Sequence, residues 1–73
     1  MANTTVESEI PGKVLRIEAA PGTSVEEDDP IIFVESMKME IPIGAPSAGT
    51  VKEILVEEGD TIEEGDEVAV LES

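Results

Sequence analysis

An internal repeat with an offset of 37 residues constrains the fold of this 73-residue chain more than any other feature of its sequence. Residues 11–36 align with residues 48–73 without a gap. The identical pairs are Gly12/Gly49, Val14/Val51, Ile17/Ile54, Gly22/Gly59, Glu26/Glu63, Glu27/Glu64, Asp29/Asp66, Glu35/Glu72 and Ser36/Ser73. A repeated unit of this size implies a supersecondary element that buries its apolar face against its neighbour. With two copies, the repeat predicts a closed domain with a pseudo-twofold axis and not a solenoid.

Both halves show the pattern of short β-strands separated by turns. Pro-Gly, Asp-Pro and Gly-Asp pairs recur between segments that are rich in Val and Ile, which indicates an all-β fold. Val25 and Ile62 are each expected in a short bridge between turns, and Pro42 favours an edge strand because it has no N–H to donate. The predicted strands are Thr4–Ser8, Gly12–Ala19, Ile31–Ser36, Met39–Ile43, Gly49–Val56 and Glu67–Glu72. The predicted core, which is mostly β-branched, is Val14, Ile17, Val25, Ile31, Phe33, Ile43, Val51, Ile54, Ile62, Val68 and Val70.

Composition excludes several classes of function. The chain has no Cys and no His, which removes disulfides, thiolate or imidazole metal sites and the Ser-His-Asp and Cys-His forms of catalysis. Its net charge of −14 argues against binding to nucleic acid or to an anionic membrane surface. The acidic clusters at residues 26–29, 57–60 and 63–66 lack EF-hand spacing, so no metal site is expected. No apolar run exceeds four residues and the first five residues do not resemble a signal peptide, so a cytoplasmic location is expected.

The middle of the chain carries an unusual β-hairpin. The apolar run Ile31–Val34 and the alternating segment Met39–Ile43 predict two strands, with Met37 and Lys38 as a two-residue turn. Such turns favour Asn-Gly, Asp-Gly or Gly-X, because positive φ is required at one or both central positions. Met37 and Lys38 depart from this preference without an evident compensating interaction, and such a departure suggests a functional site. The alternative is a surface lysine in a longer, looser turn, with the methionines packed back on the strands.

The segment Glu35-Ser36-Met37-Lys38-Met39 resembles the attachment motif of the biotinyl domain family, the biotin carboxyl carrier proteins. In that family the lysine between two methionines is joined to biotin by an amide bond, which implies covalent biotin on Lys38. Ser36 departs mildly from the family, which most often has Ala at this position. The resemblance covers the whole chain and implies a single domain of residues 1–73. The implied fold is a flattened barrel or sandwich of two antiparallel sheets with pseudo-twofold symmetry.

The resemblance also implies a function and a set of partners. A biotin protein ligase would modify Lys38, and Glu35, Met37, Met39 and Glu40 are the candidate residues for recognition by that ligase. The modified domain would shuttle a carboxyl group from a biotin carboxylase to a carboxyltransferase or a decarboxylase. It would act as a carrier and not as an enzyme, and as an isolated domain it is expected to be monomeric. Acetyl-CoA carboxylase of fatty acid biosynthesis, and carboxylases of propionyl-CoA, pyruvate or urea, all use such carriers.

Two other functions remain open from the sequence. The first is a lipoyl carrier of a 2-oxoacid dehydrogenase or glycine-cleavage system. Lipoyl domains usually have an acidic residue before the lysine and a small residue after it, so Met37 and Met39 favour biotin. The second is an unmodified acidic interaction module in which Lys38 is an ordinary surface residue. Catalysis by Lys38 itself is disfavoured, because the neighbouring Glu35 and Glu40 would stabilise its charged form.

The repeat makes one further prediction about geometry. Ser36 leads into the lysine turn, whereas its partner Ser73 is the last residue of the sequence. A pseudo-twofold axis would therefore place the lysine turn and the termini at opposite ends of the domain. Some biotinyl domains carry a protruding thumb between the second and third strands, and the short connection from Ile17 to Val25 predicts that none is present here.

Overall fold

The computed structural model describes residues 2–73, and over that range the chain consists of eight β-strands and no helix. The strands are β1 (Asn3–Glu7), β2 (Gly12–Ile17), β3 (Ser24–Val25), β4 (Pro30–Ser36), β5 (Met39–Gly44), β6 (Gly49–Ile54), β7 (Thr61–Ile62) and β8 (Glu67–Glu72). They form two antiparallel sheets of four strands, in the orders β5-β4-β2-β7 and β1-β8-β6-β3. We call the first the hairpin sheet and the second the terminal sheet. The predicted fold class is confirmed.

The internal repeat relates the two sheets strand by strand. An offset of 37 residues converts β2, β3 and β4 into β6, β7 and β8, and the same offset relates β1 to β5. The order β5-β4-β2-β7 therefore becomes β1-β8-β6-β3, which is the order observed in the terminal sheet. Each sheet thus contains two strands from each half of the chain. This exchange, of β1 and β3 for β5 and β7, ties the two halves into one folding unit.

The predicted strands are all present, with ends that move by one or two residues. The prediction for β8 has the observed bounds, and the predictions for β2 and β6 each extend two residues too far. Val25 and Ile62 lie in the two-residue strands β3 and β7, as expected for short bridges. Pro42 lies in β5, which is an edge strand of the hairpin sheet. Residues 18–23 alone connect β2 to β3, so no thumb is present there. The described part of the chain contains no helix that could span a membrane.

The core lies between the sheets and corrects part of the prediction. Seven of the predicted residues are buried, and Ile17 and Ile54 pack against them from partly buried positions. The sequence predicts Phe33 and Val70 in the core, but both are only partly buried and lie outside the buried cluster, on the outer faces of the sheets. The buried positions of β4 are Ile31, Ile32 and Val34, and those of β8 are Val68, Ala69 and Leu71; of these, the sequence predicted Ile31 and Val68. In a continuous apolar run the residues do not alternate between apolar and polar, so the sequence does not indicate which side chains face the core.

Close approach of the backbones explains the glycine pair Gly12 and Gly49. A β-carbon at Gly12 would lie 2.5 Å from the carbonyl oxygen of Glu35, and one at Gly49 would lie 2.8 Å from that of Glu72. Both distances are shorter than real β-carbon contacts. The repeat keeps glycine at these two positions because each sheet closes around the same contact.

The hairpin and the termini lie at opposite ends of a domain 36 Å long and 17 Å across. From the turn, β5 runs six residues, or about 20 Å, towards the far end. Residues 45–48 then lead to Gly49, beside which Ser73 lies. Ser73 and Ala2 exchange backbone hydrogen bonds of 3.1 and 2.9 Å. The arrangement predicted from the repeat is therefore present, and a fusion at the end formed by Ala2 and Ser73 leaves the hairpin free.

Candidate functional site

The β4–β5 hairpin ends in a tight two-residue turn. Glu35 lies opposite Glu40 and Ser36 opposite Met39, which leaves Met37 and Lys38 as the two central residues. Their φ angles are +54° and +65°. Positive φ at both central positions is the pattern of a type I′ turn, whose twist matches that of the flanking strands. The longer, looser turn considered as an alternative is wrong.

The side chains of the turn project into solvent. Met37 is 90% exposed and Met39 is 59% exposed, and Lys38 is exposed between them. The methionines therefore do not pack back on the strands. In a domain whose other large apolar side chains are mostly buried or partly buried, two exposed methionines flank one exposed lysine. Thioether side chains are flexible and polarizable, which suits an adaptable contact with another protein.

The turn keeps these side chains at an energetic cost. Left-handed backbone costs a residue with a β-carbon roughly 1–2 kcal/mol. Outside the hairpin, positive φ occurs at three glycines, Gly22, Gly59 and Gly65, with φ near +90°, and at Asp28, with φ of +73°. At the hairpin it occurs at Met37 and Lys38. Strain of this kind persists at functional sites because the side chains are needed there.

We expect Met37→Gly to stabilise the domain. The substitution relieves left-handed strain and loses little packing, because Met37 is 90% exposed. After the greater chain entropy of glycine is subtracted, the free energy of unfolding should rise by about 0.5–1 kcal/mol. Urea unfolding followed by circular dichroism measures it. The matched control is Met39→Gly, which lies in a strand and should destabilise. A loss of stability in Met37→Gly would contradict a strained turn.

The two acidic residues of the hairpin have different surroundings. Glu40 accepts a hydrogen bond of 2.9 Å from Nη1 of Arg16, whose Nε donates to Glu18 at 2.9 Å. These contacts, that with Glu18 first and that with Glu40 second, raise the pKa of Arg16 above its usual value. Glu35 lies opposite Lys13 on its other side without forming an ion pair within 4.0 Å. The carboxylate of Glu40 is thus paired with a cation, whereas the carboxylate of Glu35 is exposed to solvent.

The amine of Lys38 is available for modification. Within residues 2–73, both salt bridges belong to Arg16, and no side-chain hydrogen bond involves Lys38. Lys13 and Lys52 are also exposed, but they lie within strands β2 and β6. Lys38 alone among these lysines occupies the tip of a hairpin. An exposed primary amine at a projecting tip fits covalent attachment of a carboxylic acid through an amide bond.

The acidic clusters have a structural role in the turns. Asp29, Asp60 and Asp66 each accept a hydrogen bond, 2.9–3.0 Å long, from the backbone N–H three residues earlier. Aspartate commonly stabilises turns in this way, since its carboxylate bonds to nearby backbone N–H groups. In the part of the chain that the structure describes, no group of acidic residues is arranged to hold a metal ion.

Sequence reasoning missed Arg16 and Phe33. Arg16 lies over the ring of Phe33, 4.1 Å from its centroid, and the pair connects the hairpin to the middle of its sheet. The available signal was that Arg16 is the single arginine and Phe33 the single aromatic residue of the chain. Assigning Phe33 to the core concealed their proximity.

Comparison with known proteins identifies short attachment proteins of about this length and much longer enzymes that contain a similar segment. The biotin/lipoyl family described as "Biotin-requiring enzyme" matches residues 2–71. The biotinylated protein TB7.3 homolog of Mycobacterium leprae is 41% identical over 66 residues, which cover 90% of this chain and 93% of that protein. The biotin/lipoyl attachment protein of Bacillus subtilis is 40% identical over 62 residues, or 85% of each chain. Other relatives are much longer, and this chain matches 5% of the pyruvate carboxylase of Staphylococcus aureus.

Two solved structures with the same fold are a carboxylase that contains a similar domain and an isolated lipoyl domain. The urea carboxylase of Kluyveromyces lactis contains a domain that superposes with a TM-score of 0.92 and 39% identity, over 97% of this chain and 6% of that one. The lipoyl domain of the 2-oxoglutarate dehydrogenase complex from Azotobacter vinelandii superposes with a TM-score of 0.72 and 25% identity. That match covers 93% of this chain and 96% of the lipoyl domain.

Proposed function

This chain belongs to the family of biotin and lipoyl attachment domains, and we propose that it is a biotin carrier whose cofactor is joined to Lys38. One observation carries the choice of residue: the backbone accepts positive φ at Met37 and Lys38 in order to present an exposed amine between two exposed methionines. Support for biotin over lipoate comes from Met37 and Met39, which match the biotinyl pattern on both sides of the lysine.

The residues of the hairpin have different roles in the attachment of biotin. A biotin protein ligase activates the carboxyl group of biotin with ATP as an acyl adenylate, and the neutral amine Nζ of Lys38 then attacks the carbonyl carbon, so that AMP leaves, the amide bond forms and the nitrogen gives up a proton. Met37 and Met39 provide apolar contacts for the ligase, and Glu35 and Glu40 provide charged ones. Two paired strands hold the turn, so the flexible part of the arm begins at the side chain of Lys38.

Attached biotin supplies the group that carries a carboxyl between two active sites. The partners are a biotin carboxylase and a carboxyltransferase or decarboxylase, and the carboxyl acceptor is acetyl-CoA, propionyl-CoA, pyruvate or urea. Tethering raises the effective concentration of the arm at each site. The chain itself is non-catalytic in this proposal. A net charge of −14 supports a monomeric domain, since two copies repel each other. The cytoplasmic location predicted from the sequence belongs to the same proposal.

A lipoyl carrier is the second candidate, because the lipoyl domain from Azotobacter vinelandii shares the fold. Separate co-expression with a biotin protein ligase and with a lipoate ligase, followed by intact-mass measurement, distinguishes the two. We expect a biotinyl increment and no lipoyl increment. In the double variant Met37→Asp/Met39→Ala, which has the lipoyl pattern, the biotinyl increment should fall and a lipoyl increment should appear.

The matched control for this exchange is Leu55→Ala. Leu55 is also an exposed large apolar residue, at 42%, but it lies outside the hairpin. It should leave biotinylation unchanged. A lipoyl increment on the unaltered chain would overturn the choice of biotin, and a chain that is folded but accepts neither cofactor would overturn the carrier function.

A further inference from the structure

A β-bulge in β2 brings Arg16 to the outer face of the hairpin sheet. Lys13 and Val14 pair with Glu35 and Val34 in regular register. Arg16 then pairs with Phe33, so that the residue of β2 between Val14 and Arg16 has no partner in β4. Without the bulge, strict alternation would point Arg16 towards the core. Bulges redirect side chains and are common beside functional sites. This one places the guanidinium over the ring of Phe33, 4.1 Å from its centroid.

The terminal sheet provides an internal control for this arrangement. It has the same bulge, between Val51 and Glu53, and Glu53 pairs with Val70. The offset of 37 residues relates Glu53 to Arg16 and Val70 to Phe33. The terminal sheet therefore has the same bulge with neither a cation nor an aromatic ring at these two positions. The fold does not require the Arg16–Phe33 pair, so its presence beside Lys38 calls for another explanation.

A difference in charge between equivalent positions of the two sheets supplies that explanation. Glu40 lies directly opposite Glu35 in the hairpin sheet, and such like-charge pairs repel each other. The corresponding residues of the terminal sheet are Asn3 and Glu72, which do not repel each other because Asn3 carries no charge. Arg16 is thus found beside the acidic pair of the hairpin, with its Nη1 2.9 Å from Oε1 of Glu40. The terminal sheet has an acidic pair of its own, Glu7 opposite Glu67, but within the described residues that pair has no salt bridge. Stacking on Phe33 and the bond to Glu18 restrict the guanidinium, and through it the carboxylate of Glu40.

We propose that Arg16 is a positioning residue for the biotin protein ligase, which holds the carboxylate of Glu40 in the orientation that the ligase recognises. This inference rests on the proposed function, because it concerns the enzyme that modifies Lys38. Arg16 itself lies back from the turn and acts through Glu40. A carboxylate that is already ordered loses less conformational freedom when the ligase binds. Loss of Arg16 should therefore weaken recognition of the domain without slowing amide formation at Nζ of Lys38.

Steady-state biotinylation of the purified domain by a biotin protein ligase, with the domain as the varied substrate, tests this proposal. Arg16→Gln should raise KM for the domain about threefold to tenfold, as expected for a charge at the edge of an interface, with kcat within about twofold. Arg16→Lys should recover part of the effect, since one ammonium cannot reproduce the fork that bonds Glu18 and Glu40. Glu40→Gln should raise KM as well, and adding Arg16→Gln to it should have little further effect.

Lys52→Gln is the matched control, because it removes one positive charge from the terminal sheet. It should leave KM unchanged. Circular dichroism and urea unfolding of each variant establish that the domain is folded at the assay temperature. A wild-type KM in Arg16→Gln, or additive effects of Arg16→Gln and Glu40→Gln, would overturn the positioning role alone. Absence of biotin on the wild-type chain would overturn the carrier proposal, and this inference with it.

Discussion

Lys38→Arg is expected to abolish attachment of biotin to this domain. Arginine preserves the positive charge and the approximate length of the side chain, so the hairpin and its electrostatics are retained. Its guanidinium stays protonated at all accessible pH values and offers no free amine to the activated carboxyl group. Intact mass after co-expression with a biotin protein ligase should show a single biotinyl increment on the wild-type chain and none on the variant.

Two other lysines make this result specific. Lys13→Arg and Lys52→Arg change exposed lysines of β2 and β6, which lie within strands and not at the tip of a turn. Both variants should accept biotin as the wild-type chain does. Biotin on Lys38→Arg would show that the ligase uses another amine, and the proposed site would then be wrong. Loss of biotin in all three variants would indicate a requirement for lysine beyond the turn.

Ile32→Ala is expected to destabilise the domain more than any substitution on its outer faces. Ile32 is fully buried, and removal of a buried Ile side chain to Ala costs about 2–5 kcal/mol in lost transfer energy and cavity formation. A domain of 73 residues has only about 4–11 kcal/mol of stability in total. The variant should therefore unfold at a much lower urea concentration, as followed by circular dichroism.

The neighbouring residue provides the control. Phe33→Leu shortens the only aromatic side chain, which lies partly buried under Arg16, and should cost less than Ile32→Ala despite the larger size of Phe. The repeat offers the same comparison in the terminal sheet, where Leu71→Ala should be more costly than Val70→Ala. The reverse order in either sheet would mean that Phe33 or Val70 faces the core.

Much of the fold followed from local patterns and the repeat. Turn residues placed the long strands to within two residues, because glycine, proline and aspartate act through local backbone preferences. Pairing of residues 11–36 with 48–73 predicted two halves related by a pseudo-twofold axis and the opposite placement of hairpin and termini, whereas the two antiparallel sheets were implied by the family resemblance. The unusual chemistry of the turn at Met37 and Lys38 suggested a functional site, and the resemblance to the biotinyl attachment motif identified Lys38 as the residue of interest.

The facing of individual side chains did not follow from sequence. In β4 and β8, runs of four apolar residues give no alternation, and the inward parity was assigned incorrectly at Phe33 and Val70. The bulge after Val14 was not foreseen either, because the register shift is a property of two strands together. For the same reason, the contact of Arg16 with Phe33 and Glu40 was not foreseen.

The sequence by itself thus determined the all-β class, the pseudo-twofold arrangement and the position of the candidate lysine. Each of these depends on information within one segment or on comparison of two segments at a constant offset. Only the tertiary structure decided which residues fill the core, that Met37 and Lys38 both adopt positive φ, and that Arg16 neutralises Glu40 across 24 positions of the chain. These features depend on how strands from different parts of the chain pair and twist against each other. Such pairing sets the register and therefore the face on which every side chain lies.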